Sequence, residues 1–163
     1  MTRGKDDMID AFRNGTPVEL WQALVQDAYE RTDRRLDESS ESYLVFVLLR
    51  YQADHLLLSH AQGPDWLQAL ELAGRARADA LRDVGDRCLL VAGLFPGLAE
   101  RRRVSVDYFI TIGRSAYQGA AGATRQAYAA LYEQLARSYR ELVQTLSAMR
   151  NLPQPYDPSA IRH

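Results

Sequence analysis

Six side chains able to carry charge or donate hydrogen bonds fall close together: Asp86, Arg87, Asp107, Tyr108, Arg114 and Tyr117. They sit in two apolar segments joined by Gly93-Leu94-Phe95-Pro96-Gly97 and the basic run Arg101-Arg102-Arg103. Asp107 and Arg114 are seven apart, two helical turns, and so share a face. Charges taken into a core must be paired, because an isolated one is costly to desolvate. Two arrangements meet that demand. One is an inter-helix salt bridge such as Asp86–Arg114, with tyrosine hydroxyls closing the network. The other is a polar pocket in which Asp86, Asp107, Tyr108, Arg114 and Tyr117 surround a small anionic or polar ligand. Arg114 would then be the anchor, since a guanidinium donates in a planar fork.

Covalent and metal chemistry find less support. The sequence has no HExxH, CxxC, Walker loop, GxGxxG or GxSxG. A carboxylate-bridged dinuclear site in a bundle needs Glu-x-x-His on two helices. Neither His55 nor His60 has a glutamate three residues before it. Cys88 is the only cysteine and lies in an apolar run, where a thiol behaves as a small hydrophobe. Its neighbour Arg87 points elsewhere on a helix. Cys88 and His55 are the only sensible nucleophile–base pair. No catalytic residue, metal ligand or cofactor is assigned, and the reading leans away from an enzyme.

These residues need helices to position them. Thr16-Pro17 with Glu19 spells a capping box with proline at the first helical position. Leu20, Trp21, Leu24, Ala28 and Tyr29 follow as one stripe, ending near Arg31. After a polar loop, Ser39 or Ser40 caps a buried helix through Tyr43–Leu58, closed to membrane insertion by Arg50. Gln62-Gly63-Pro64 centres the next break. From Asp65 the apolar positions Leu67, Leu70, Ala73, Leu81, Val84, Cys88, Val91 and Phe95 predict one long helix with a bend near Gly85. Ser105 caps a helix over 106–121, stopped by Gly119 and Gly122.

The last helix, from Thr124, has the clearest period. Tyr128, Tyr132, Leu135, Tyr139, Leu142 and Leu146 form a heptad seam extended by Met149. Tyrosine is enriched at interfaces, so this seam is a candidate dimer surface. Core packing is the alternative. Residues 151–163 hold three prolines and read as an extended tail that Tyr156 pins to the body. The fold class expected is all-α: a single-domain antiparallel bundle of about five to seven helices over 1–150, followed by that tail.

Partners follow from charge. The net charge is −1, whereas nucleic-acid-binding domains carry a basic excess. Nucleic acid is therefore not an expected partner, Arg101–Arg103 being a short basic turn. The start, MTRGKDDMIDAF, is acidic and lacks an apolar run, so no signal peptide or membrane partner is expected, and the location expected is cytoplasmic.

Val84-Gly85-Asp86, Gly93-Leu94-Phe95-Pro96, Val106-Asp107-Tyr108-Phe109 and Gly113-x-x-Ala116-Tyr117 resemble a family of small bacterial all-helical proteins of uncharacterised function. Its members read LGD, SGFFP, VDYY and GxxAY. This chain differs at Val84, Ala92, Leu94 and Phe109, and the match covers about a fifth of its length. The resemblance implies a bacterial source and a shared scaffold, and no activity. The function expected is thus a non-enzymatic interaction or regulatory module acting as a homodimer, with an unidentified protein as a further partner. The alternative is a small-ligand-binding or enzymatic bundle with its polar pocket around Arg114.

Overall fold

The computed structural model describes residues 15–54 and 62–150. Eight α-helices and no strand occur among them: α1 Pro17–Thr32, α2 Glu38–Ala53, α3 Gln62–Leu70, α4 Gly74–Leu94, α5 Pro96–Arg101, α6 Val106–Gly122, α7 Gln126–Arg137 and α8 Tyr139–Arg150. The all-α expectation holds, with one helix more than the upper expected number. His55, His60, the N-terminal apolar residues Met8, Ile9 and Phe12, and the expected tail lie outside the described residues.

Helix starts follow local side-chain chemistry. The capping box forms: the Glu19 N–H donates to Thr16 Oγ1 at 3.3 Å, and the Thr16 N–H to Glu19 Oε2 at 3.4 Å. The Tyr108 N–H donates to Ser105 Oγ at 3.1 Å, capping α6. For α2 the cap is Asp37 rather than Ser39 or Ser40; its carboxylate accepts from the Ser40 N–H at 3.2 Å. Gln62-Gly63-Pro64 opens α3 instead of separating helices. Proline is tolerated in a first turn, whose N–H groups have no intrahelical partners.

The expected long helix is broken into two, between Leu70 and Gly74. Gly74 has φ +58°, a left-handed conformation that glycine adopts without strain. From there α4 runs unbroken for 21 residues, about 31 Å at 1.5 Å per residue. It is the centre of the molecule, packing most extensively on α6 and also on α8, α3 and α5. Its second half, Val84 to Gly93, is buried at every position but Arg87. Helix α1 packs on α8 and α2, and α7 packs on α6.

Glycines set the spacing of this core, two of them beside tyrosines. A Cβ on Gly85 would overlap the ring of Tyr117, and one on Gly113 would overlap the hydroxyl of Tyr139. Their role is room for aromatic rings. Gly119, expected as a stop, lies inside α6 against Leu81. The basic run closes the α5–α6 turn: Arg103 takes φ 57°, and its N–H donates to the Glu100 carbonyl at 2.9 Å. No helix of the described residues is long and apolar enough to cross a membrane.

Candidate functional site

Asp86 is buried to 1% exposure, the one charged residue so deeply placed among the described residues. Its Oδ1 accepts from the Tyr43 hydroxyl at 2.8 Å and the Tyr117 hydroxyl at 2.6 Å. Its Oδ2 accepts from Arg50 Nη1 at 2.8 Å. The other arm of Arg50 reaches Asp83 at 2.7 Å, and Asp83 also accepts from Arg82 at 3.1 Å. Helical spacing explains the convergence. Tyr43 and Arg50 are seven apart on α2, and Asp83 and Asp86 three apart on α4, so each pair shares a face. Tyr117 arrives from α6 over Gly85. Tyr139, on α8, donates to the Gly85 carbonyl at 2.9 Å.

The electrostatics follow from burial. Loss of solvent pushes the Asp86 carboxyl up to about 6, while the Tyr117 and Tyr43 hydrogen bonds and Arg50 hold it down. Burial also drives the Tyr43, Tyr117 and Tyr139 phenols well above their ordinary range, aided in all three by the charge of Asp86. This carboxylate spends its lone pairs inside the chain. The network fastens α2, α4 and α6 to one another.

Of the five residues expected around one pocket, the structure brings Asp86 and Tyr117 together. Asp107 and Tyr108 stand at the exposed start of α6: the Asp107 side chain is 81% exposed, with Arg140 3.9 Å away, and Tyr108 packs edge-on to Phe109. Arg114 is half-buried, and the guanidinium on Asp86 belongs to Arg50 instead. Tyr43, Arg50 and Asp83 complete the site without standing out in the sequence. Their signal was faint: an arginine closing an apolar run, one heptad after a tyrosine.

The seam residues turn inward. Tyr132, Leu135, Tyr139, Leu142 and Leu146 are all buried in the chain's own core, and only Tyr128 is exposed. The segment is also two helices, meeting at Ser138. A dimer built on this seam would have to unpack the core first. Cys88 is fully buried, and burial pushes its thiol up to about 12, outweighing Arg87 and Arg102. No three His, Cys, Asp or Glu side chains converge on a metal site among the described residues.

A second place is open. Arg75, Ala78, Asp79 and Arg82 form one wall of a groove of about 680 Å³, and 123–125 with Tyr128 and Tyr132 form the other. Each wall is one helical stripe: 75, 78, 79 and 82 on α4, and 125, 128 and 132 leading into α7. Three arginines and one aspartate thus line the groove, and Arg82 is also bonded to Asp83 behind it. Arg75 and Arg82 approach Asp79 only loosely, at 3.9 and 3.8 Å. Arg125 is exposed and makes no ion pair with the described residues.

The chain matches no family model, curated protein or solved structure. Its reading therefore stands on these two places. The groove and the buried carboxylate are neighbours: Tyr132 lines the groove and packs on Tyr117 at 6.1 Å and edge-on to Tyr43 at 6.2 Å. What the closed network contributes is position. What the groove contributes is an accessible positive field on an aromatic wall.

Proposed function

We propose that the protein is a helical binding module that takes a small anionic molecule in the groove between the start of α4 and the α6–α7 turn. The observation that carries this is the lining: three arginines and one aspartate around an open concavity, with Arg125 unpaired among the described residues. Concentrated like charge at the wall of a concavity attracts a counter-charge, and guanidinium groups suit carboxylates and phosphates. The expected ligand-binding alternative thus moves from Arg114 to Arg75, Arg82 and Arg125. The expected homodimer is not part of this proposal, because all the seam residues that suggested it except Tyr128 are core.

The test is a titration of isotope-labelled protein with citrate and with inorganic phosphate at low salt, followed by amide chemical shifts. Shifts concentrated at 75–82 and 123–132 are expected. They should vanish in the double variant Arg75→Glu, Arg125→Glu. Shifts spread over the surface, or unaltered in that variant, would end the reading.

A further inference from the structure

The positive charge of the groove accounts for an anion, but not for the size of the groove or its aromatic wall. Tyr128 and Tyr132 are four apart on α7, so their rings lie on one face, one turn from each other. Tyr132 is held in place by Tyr117 and Tyr43 and is only 8% exposed. Tyr128 is 59% exposed on the groove wall. A solvated ring beside a concavity is an unused stacking platform, because an aromatic face attracts a second planar ring. The volume of about 680 Å³ falls in the range of small-molecule sites, roughly 300–1,000 Å³. An inorganic oxyanion would fill a small part of it.

The arginines divide the work. Arg82 is already committed: Nε and Nη2 both donate to Asp83, at 3.2 and 3.1 Å. It supplies field more than new hydrogen bonds. Arg125 has its donors to give. It is the N-cap of α7, three residues before Tyr128, and both line the groove.

Resting on the binding reading above, we propose that the ligand is an organic anion built on a planar aromatic ring, the ring stacking on Tyr128 and the acid group held by Arg125. A carboxylate and a phosphate both satisfy this chemistry, and the ring is common to them.

Four probes test it with the full-length chain at low salt: 1-naphthyl phosphate, 1-naphthoate, inorganic phosphate and 1-naphthalenemethanol. Amide shifts give the affinities. Both naphthyl anions are expected to bind about tenfold or more tightly than inorganic phosphate or the neutral alcohol, as one aromatic stacking contact provides. Whichever naphthyl anion is tighter names the acid group. Tyr128→Ala should remove most of that advantage and leave inorganic phosphate unchanged; the ring is exposed, so its loss leaves the fold intact. Arg125→Ala should weaken every anion. If inorganic phosphate binds as well as the naphthyl anions, or Tyr128→Ala spares their advantage, the ring assignment fails while the anion groove survives. If no anion binds, both readings fail.

Discussion

The Tyr117 hydroxyl lies 2.6 Å from Oδ1 of Asp86, and the Tyr117 ring occupies the space that a side chain on Gly85 would need. One tyrosine therefore satisfies a buried charge and sets how closely α4 and α6 approach. The same device recurs one turn along, where Tyr139 bonds the Gly85 carbonyl in room left by Gly113. Glycine, tyrosine and aspartate are thus a single packing unit.

That unit gives a sign prediction for Gly85→Ala. Alanine is the better helix former by up to about 1 kcal/mol. Its methyl would meet the body of the Tyr117 ring, which cannot swing aside without dropping its bond to Asp86. Overpacking of this kind costs about 1–3 kcal/mol, so the variant should be less stable despite its propensity. Urea unfolding measures it, and a stabilised Gly85→Ala protein would show that the two helices are free to separate.

Asp86 also predicts a pH dependence. Its carboxyl stands near 6 in the fold against an ordinary 3.8, so the native state holds its proton longer than the unfolded chain does. Its contribution to stability is complete below about pH 4 and is lost as pH rises through 6, by on the order of 2–3 kcal/mol. Asp37 works in the opposite sense. Burial raises its carboxyl, but the bonds from Ser40 and Gln134 outweigh this and hold it low, so its contribution is lost as pH falls. Comparing Asp86→Asn with the native chain between pH 4 and 7 isolates the first effect. The native protein should lose more stability with rising pH than the variant; parallel curves would contradict it.

Much of the scaffold was legible because helix starts and apolar stripes are local. Thr16 with Glu19, Ser105, and the Phe95-Pro96-Gly97 stop need only neighbouring residues to act. The guanidinium partner of Asp86 was not legible. Arg50 and Arg114 are equivalent as sequence, and only the placement of α2 beside α4 chooses between them. The heptad seam is a packing face at every position but Tyr128, and periodicity does not say whether its partner is another copy or the same chain. The groove is not legible in the sequence, because its walls lie about fifty residues apart and neither stripe announces the other.

The seam makes its own prediction. Leu142 and Tyr139 are wholly buried within one chain. Leu142→Ala should cost about 2–5 kcal/mol in unfolding free energy, as large-to-small changes in a filled core do. The hydrodynamic size of the folded fraction should not change. A variant that stays stable but alters its association state would place Leu142 at an interface.

The arginines of the groove should separate when each is replaced by alanine. Arg82 and Arg125 line the same wall-to-wall space and both are cations, yet only Arg82 is tied to the buried network, through Asp83 and then Arg50 to Asp86. Removing Arg82 leaves Asp83 with one guanidinium instead of two, so Arg50 must be shared against a less compensated pair of carboxylates. A loss of about 1–3 kcal/mol is expected, the range for hydrogen bonds to charged groups. Removing Arg125 strips an exposed side chain and should alter stability by less than about 0.5 kcal/mol. Anion affinity should fall in both variants, and the dependence of affinity on salt should weaken, since fewer exposed charges remain to be screened. Denaturation and titration on the same two proteins decide it. Equal stability losses would mean that the groove is not coupled to Asp86 through Arg82, and an unchanged anion affinity in Arg125→Ala would remove the residue on which the binding reading most depends.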